Sequence, residues 1–130
     1  MRSRKIPFPR DDMIAENKEI KTMTTYKITW DADWKVLRCE FGGPANNDQI
    51  LRDAAEQIAA IKQLVMGPQC LKVNGRMSVQ VASLITAELA HVVAAIAFYD
   101  PKMHCYIITA THSPDYQFAQ LVADPEPMIV

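Results

Sequence analysis

The order of apolar and polar residues predicts a hairpin followed by a helix in the first half of the chain. Residues 25–30 and 35–41 are rich in β-branched and aromatic residues and flank a turn at 31–33, which indicates two strands. After the Gly-Gly-Pro sequence at 42–44, Asn46 or Asn47 can cap a helix whose apolar residues recur with helical spacing, at 50, 54, 58, 61 and 65. Gly67 and Pro68 mark its end.

The second half of the chain predicts a strand, a helix and two more strands. Residues 70–73 form a short apolar strand before an Asn-Gly turn, and Ser78 is a suitable N-cap for a helix that ends near His91. Residues 94–99 are apolar without interruption, as in a strand covered on both faces, and 105–111 form a returning strand. The order ββαβαββ predicts a single α/β domain with a mixed sheet and two main helices packed on it.

Composition sets the domain limits and the compartment. Residues 1–22 lack periodicity and contain two prolines, so we expect a disordered extension before an α/β domain at 23–122 and a flexible tail at 123–130. No apolar run is long enough to span a bilayer, and the N-terminus lacks the apolar core of a signal peptide. The three cysteines are widely spaced and form no CxxC pair. These features predict a cytoplasmic protein with buried thiols.

The charge distribution limits the ligands that the chain can bind. Residues 23–130 contain eight Lys or Arg against eleven Asp or Glu, a net charge of −3. General DNA or RNA binding is disfavoured because it needs a surface that neutralises many phosphates. A small anionic ligand that is held by a few well-placed groups is still compatible with this charge.

The polar residues of the second half divide between two ends of the predicted sheet. Following the chain direction, one end should hold Gly75, Arg76, Ser78, Asp100 and Lys102, and the other His91 and His112. A strand of about six residues at ~3.3 Å each would separate the two ends by roughly 20 Å. One chain therefore cannot bring both sets to a single phosphodiester.

Each set of residues allows a functional and a structural interpretation. The first end suits a phosphate, because ligands bind at the carboxyl ends of parallel strands and at helix N-termini, while Arg76 and Lys102 supply positive charge. Alternatively, the Asp-Pro-Lys sequence at 100–102 is only a hairpin turn with a solvated lysine. The two histidines suit proton transfer near neutral pH, or they are surface residues. Glu88 falls in the apolar stripe of its helix, where it either pairs or binds a metal, or lies at an exposed helix edge.

The second half of the chain contains four short motifs, which are Asn-Gly-Arg at 74–76, Glu-Leu-Ala-His at 88–91, Tyr-Asp-Pro-Lys at 99–102 and Thr-His-Ser at 111–113. In this order and spacing, they together resemble the third CRISPR ring nuclease family. The resemblance follows the element order over residues 24–122 and is strongest over 70–122. It implies an enzyme of type III CRISPR immunity that opens cyclic tetra-adenylate, supported by Mn²⁺, with dimers that sandwich the ring. A manganese-dependent RNA deadenylase has also been proposed for this family.

By position, the resemblance assigns His91, Asp100 and His112 to catalysis. We expect Lys102, which stands where some members have arginine, to be a fourth catalytic residue. Glu88 stands where some relatives have a second histidine, and we expect Asp100, with Glu88 as a further candidate, to bind Mn²⁺. We expect Gly75, Arg76 and Ser78 to bind the ring, and a dimer or tetramer to share the site between subunits. Three alternatives are a sensor that binds the ring without cutting it, the deadenylase, and an interaction module without nucleotide affinity.

Overall fold

The computed structural model describes residues 24–126, so the predicted N-terminal extension and residues 127–130 lie outside the described part. The predicted α/β class, with a mixed sheet and two packed helices, is confirmed. In chain order the elements are β1 (Tyr26–Asp31), β2 (Val36–Phe41), α1 (Asn47–Val65), β3 (Gly67–Gly75), α2 (Val79–Leu89), β4 (Val93–Asp100), β5 (Cys105–Thr111) and β6 (Leu121–Ala123).

The six strands lie in the sheet in their sequence order. β2, β3 and β4 are parallel, whereas β1, β5 and β6 each run antiparallel to their neighbours. Two successive right-handed crossovers in one direction leave both helices on the same side, and α1 and α2 do contact each other there. We call this side the helical face and the other the opposite face. None of the helices within residues 24–126 is long and apolar enough to cross a membrane.

Both faces of the central strands are buried, which explains the unbroken apolar sequence of β4. On the helical face, buried side chains of both helices pack on Leu71, Val73 and Ile96. On the opposite face, Tyr106 and four smaller residues form a second core, which is covered by Tyr116 and Val122 instead of a helix. Cys39 is buried, Cys70 and Cys105 are half-buried, and all three thiols are free.

Side chains of α1 close the outer edge of β1. Gln57 Oε1 accepts a hydrogen bond from Ile28 N at 2.7 Å, while Gln57 Nε2 donates to Tyr26 O at 2.5 Å. Its amide thus makes the two bonds that a neighbouring strand would make. Asp53 Oδ2 accepts from Thr25 N at 2.8 Å and from Thr25 Oγ1 at 3.1 Å. An edge protected in this way is a poor template for another strand.

Two element boundaries differ from the sequence predictions. β3 begins at Gly67 and not at residue 70, because Gly67 N already bonds to Val92 O at 2.8 Å. α2 ends at Leu89, two residues before His91. β6 ends at Ala123, next to the predicted end of the domain, and it pairs with β5. Three residues after β6, Glu126 Oε1 lies 2.8 Å from Arg38 Nη2.

Candidate functional site

Two helix N-termini meet at the upper end of the sheet, the end at which β2, β3 and β4 have their carboxyl ends. Ser78 Oγ caps α2 by accepting a hydrogen bond from Val81 N at 3.2 Å, and it donates to Asn47 Oδ1, in the first turn of α1, at 3.3 Å. The first N–H groups of both helices therefore lie side by side, where the positive ends of the helix dipoles favour an anion. Because the Ser78 hydroxyl bonds within the protein, a ligand contact would use main-chain N–H groups.

The Asn-Gly-Arg motif lies at the end of β3, and its geometry allows only glycine in the middle. Gly75 has φ +134°, and a Cβ atom there would lie 1.9 Å from Cys39 O. The side chain of Arg76 is exposed, while its main-chain oxygen accepts a hydrogen bond from Tyr26 Oη at 2.5 Å. Arg76 thus has a fixed main chain, and its guanidinium makes no ion pair or hydrogen bond with the described residues 24–126.

Asp100 and Lys102 lie in the β4–β5 turn at the same end. Val73 and Phe98 are the last paired residues of β3 and β4, and Gly75 and Asp100 each follow two residues later, so both lie at the upper ends of adjacent strands. Asp100 Oδ1 accepts hydrogen bonds from Lys102 N at 2.9 Å and from Met103 N at 3.1 Å. One carboxylate oxygen is therefore used to form the turn, as the structural interpretation requires. Among residues 24–126, Oδ2 has no hydrogen-bond donor and is available to a ligand.

The two predicted histidines lie together at the lower end of the sheet, where β4 begins and β5 ends. The ring centroids of His91 and His112 are 6.5 Å apart, and both side chains are exposed. His112 Nε2 lies 2.8 Å from Val93 O. Since a carbonyl can only accept, Nε2 carries the hydrogen and Nδ1 of the neutral ring keeps its lone pair. One imidazole is thus held with a basic nitrogen free, beside a second imidazole.

The length of β4 separates the histidines from the upper end. β4 runs for eight residues from Val93, beside the histidine pair, to Asp100. At ~3.3 Å per residue, this distance is about 23 Å. A single chain therefore has the groups for binding an anion at one end and the groups for moving protons at the other.

A family model described as CRISPR-associated protein (Cas_csx3) matches residues 50–123, a little over half of the chain. The chain belongs to the Cas_csx3 family. The match runs from the first half of α1 to the last residue of β6, so it includes both ends of the sheet described above. No curated protein and no solved structure matches the chain significantly.

The two residues that we expected to bind manganese lie at opposite ends of the sheet. Glu88 lies near the end of α2 and therefore near the lower end, whereas Asp100 lies at the upper end, so the two expected ligands do not converge. In the part of the chain from 24 to 126, no group of three or more His, Cys, Asp or Glu could hold a metal ion. Residues 24–126 of a single chain thus do not fit the metal.

Glu88 also lies outside the apolar stripe in which the sequence placed it. The buried residues of α2 are Val81, Ile85 and Leu89, whereas the side chain of Glu88 is half exposed. Its Oε1 lies 4.0 Å from Lys62 Nζ of α1, a long and solvated ion pair. The structural interpretation of Glu88, a helix-edge residue in water, therefore accounts for its position.

Sequence reasoning missed the two tyrosines that support the Asn-Gly-Arg motif. Tyr26 Oη donates to Arg76 O, and Tyr106 Oη accepts from Asn74 Nδ2 at 3.4 Å. Both tyrosines occupy apolar strands, where a tyrosine is expected simply because of its strand propensity. Only the fact that a buried tyrosine hydroxyl needs a hydrogen-bond partner could have indicated their role.

Proposed function

We propose that this Cas_csx3 protein is a ring nuclease that cuts cyclic tetra-adenylate and thereby ends type III CRISPR signalling. The upper end of one chain binds the ring, and the histidine pair of a second chain cuts it. The observation that supports this arrangement is the separation of about 23 Å along β4 between the exposed cationic residues and the two imidazoles. Two chains packed head to tail bring these groups together.

Binding relies on a few groups at the upper end, because the body of the protein is acidic. Arg76 can bind a phosphate through two parallel N–H donors, and Lys102 adds a point charge. The N–H groups at the start of α1 and α2 complete the phosphate site. The free oxygen of Asp100 can orient a ribose hydroxyl or an attacking oxygen.

The cutting step needs one group that accepts a proton and one that donates a proton. His112 Nδ1 is suited to remove the proton from the attacking oxygen, which forms a new bond to phosphorus. His91, in its protonated form, gives a proton to the 5′ oxygen as its bond to phosphorus breaks. Attack by the ribose 2′-hydroxyl yields a 2′,3′-cyclic phosphate, and attack by water yields a linear phosphate.

No step of this mechanism passes through a metal, because residues 24–126 of a single chain do not fit one. A manganese requirement would need ligands from a second chain or from the phosphates of the ring. Turnover in excess EDTA, compared with turnover in added Mn²⁺, measures this dependence directly.

A mixing experiment tests the shared site. His91→Ala and Asp100→Ala are each expected to be inactive, and mixing equal amounts should restore activity in about a quarter of the sites, those with two intact ends. The matched control mixes His91→Ala with His112→Ala, where every lower end carries a defect and no activity should return. A mixture of His91→Ala and Asp100→Ala that stays inactive, although the chains exchange, would refute the shared site.

Binding and cleavage assays on the wild-type protein distinguish the ring nuclease from the three alternative functions. Labelled ring that wild-type protein binds tightly but leaves uncut, with or without Mn²⁺, would identify a sensor. Faster loss of a linear poly-A tail than of the ring would identify a deadenylase. A protein with affinity for neither nucleotide would be an interaction module.

A further inference from the structure

We propose that Tyr26 and Tyr106 are positioning residues that hold residues 74–76 from the two faces of the sheet and so fix the main chain that carries Arg76. Each tyrosine makes one hydrogen bond to this segment. The effect on ligand binding rests on the proposed function, in which Arg76 binds a phosphate. The effect on the segment itself does not.

Tyr26 acts from the helical face. Its side chain is completely buried in the core beneath the helices, and its Oη donates to Arg76 O at 2.5 Å. Burial, together with the neighbouring Cys39, raises the pKa of Tyr26, so the hydroxyl keeps the proton that it donates. This bond joins β1 to the end of β3, across the intervening strand β2.

Tyr106 acts from the opposite face. It is also completely buried, and its ring packs edge-on against Tyr99 with the centroids 5.1 Å apart. Its Oη accepts a hydrogen bond from Asn74 Nδ2 at 3.4 Å. Burial raises the pKa of Tyr106 to about 12, so this hydroxyl too is neutral at physiological pH. This bond joins β5 to β3 across β4.

The segment between the two tyrosines needs this support because its strand pairing is one-sided. Pairing of β3 with β4 ends at Val73 and Phe98, whereas pairing with β2 continues to Cys39 and Gly75. Gly75 also lies so close to Cys39 that no Cβ atom fits between them. The tyrosine hydroxyls therefore supply contacts where β4 no longer does.

A fixed main chain at residue 76 favours ligand binding more than catalysis. Ordering a loop when a ligand binds costs free energy, which a pre-organised loop avoids. In the proposed arrangement, the histidines that cut the ring belong to a second chain. Within each chain, the histidine pair lies about 23 Å from this segment along β4, so the geometry of the pair does not depend on it. Loss of either hydroxyl should therefore weaken binding of the ring and leave turnover of the bound ring unchanged.

The test compares Tyr26→Phe and Tyr106→Phe with Tyr99→Phe as the matched control. Phenylalanine keeps the ring in place, and the Tyr99 hydroxyl makes no hydrogen bond within residues 24–126. We expect KM for the ring to rise about three- to tenfold in the first two variants, with kcat unchanged, and neither to change in the control. In an Arg76→Ala background, the same substitutions should raise KM no further.

Two outcomes would overturn the inference. They are a fall in kcat with KM unchanged, and an effect on KM that simply adds to that of Arg76→Ala.

Amide chemical shifts and relaxation of Gly75 and Arg76 in the ligand-free protein provide a readout that does not involve the ring. They should change in Tyr26→Phe and not in Tyr99→Phe. If wild-type protein neither binds nor cuts the ring, the proposed function fails while this measurement still decides the role of the tyrosines.

Discussion

Gly75 is the position where the structure predicts the largest effect of adding a single methyl group. Its φ of +134° is one that side chains rarely adopt, and a Cβ atom would lie 1.9 Å from the carbonyl oxygen of Cys39 and 2.8 Å from its nitrogen. The strained backbone costs about 1–3 kcal/mol. Overpacking against main-chain atoms, which cannot rotate away, costs about the same again. We expect Gly75→Ala to lower the free energy of unfolding by roughly 2–6 kcal/mol.

Two other glycines allow the cost of the strained backbone to be measured separately from the cost of overpacking. Gly67 has φ +146° but no atom within 4 Å of an added Cβ, so Gly67→Ala should show the backbone cost alone, about 1–3 kcal/mol. Gly43 has no positive φ, and the nearest atom to its added Cβ is 3.8 Å away, so Gly43→Ala should change stability by no more than about 0.5 kcal/mol.

Urea unfolding of the three variants, followed by far-UV circular dichroism, provides the measurement. The expected order of destabilisation is Gly43→Ala, then Gly67→Ala, then Gly75→Ala, with unchanged m-values. If Gly75→Ala were no more destabilised than Gly67→Ala, β2 and β3 would be able to move apart. The argument for a rigid main chain at the Asn-Gly-Arg motif would then be wrong.

Three further predictions concern contacts distant from the site. Gln57→Leu should expose the edge of β1 and cause concentration-dependent association, measured by light scattering. The control is Gln63→Leu, at an exposed position on the same helix. Equal association of both variants would contradict the view that Gln57 protects the edge of β1. Partial burial raises the pKa of Asp53, but hydrogen bonds from Thr25, Tyr26 and Gln57 outweigh it and lower the pKa overall. The carboxylate therefore stabilises the fold fully above about pH 4 and loses this effect as the pH falls below that value. Asp53→Asn should therefore reduce the loss of unfolding free energy at acidic pH. An unchanged pH dependence would refute this role of Asp53. Glu126→Gln should weaken the contact with Arg38 and cost no more than about 1 kcal/mol, less at high salt, and a salt-independent loss would indicate a different cause.

The sequence predicted those elements that bury a continuous face. The helical period at residues 50–65 and the apolar run at 94–99 both reflect burial, and both gave elements close to the observed α1 and β4. β6 gives no such signal, because its three residues depend on pairing with β5 and on the contact between Glu126 and Arg38. Those partners are distant in sequence, so no local pattern could reveal them.

In the candidate site, too, the sequence predicts some features, whereas others depend on tertiary packing. Chain direction alone predicted that Asp100 and His91 lie at opposite ends of the sheet, because strand, helix and strand must alternate in direction. The role of Tyr26 and the edge contacts of Gln57 depend on how α1 packs beside β1, which periodicity does not specify. Helical periodicity predicts a wider apolar stripe on α2 than the structure has, so it places Glu88 too far toward the core.

The length of β4 has a consequence for how the protein would behave at different abundances. Under the proposed mechanism, each chain contains both the binding groups and the histidine pair, but β4 keeps them too far apart to act on the same phosphodiester. A scarce protein would therefore store the messenger intact, and an abundant one would destroy it. Below the assembly threshold, cleavage would grow with the square of protein concentration, so the level of expression itself would decide between buffering a signal and erasing it.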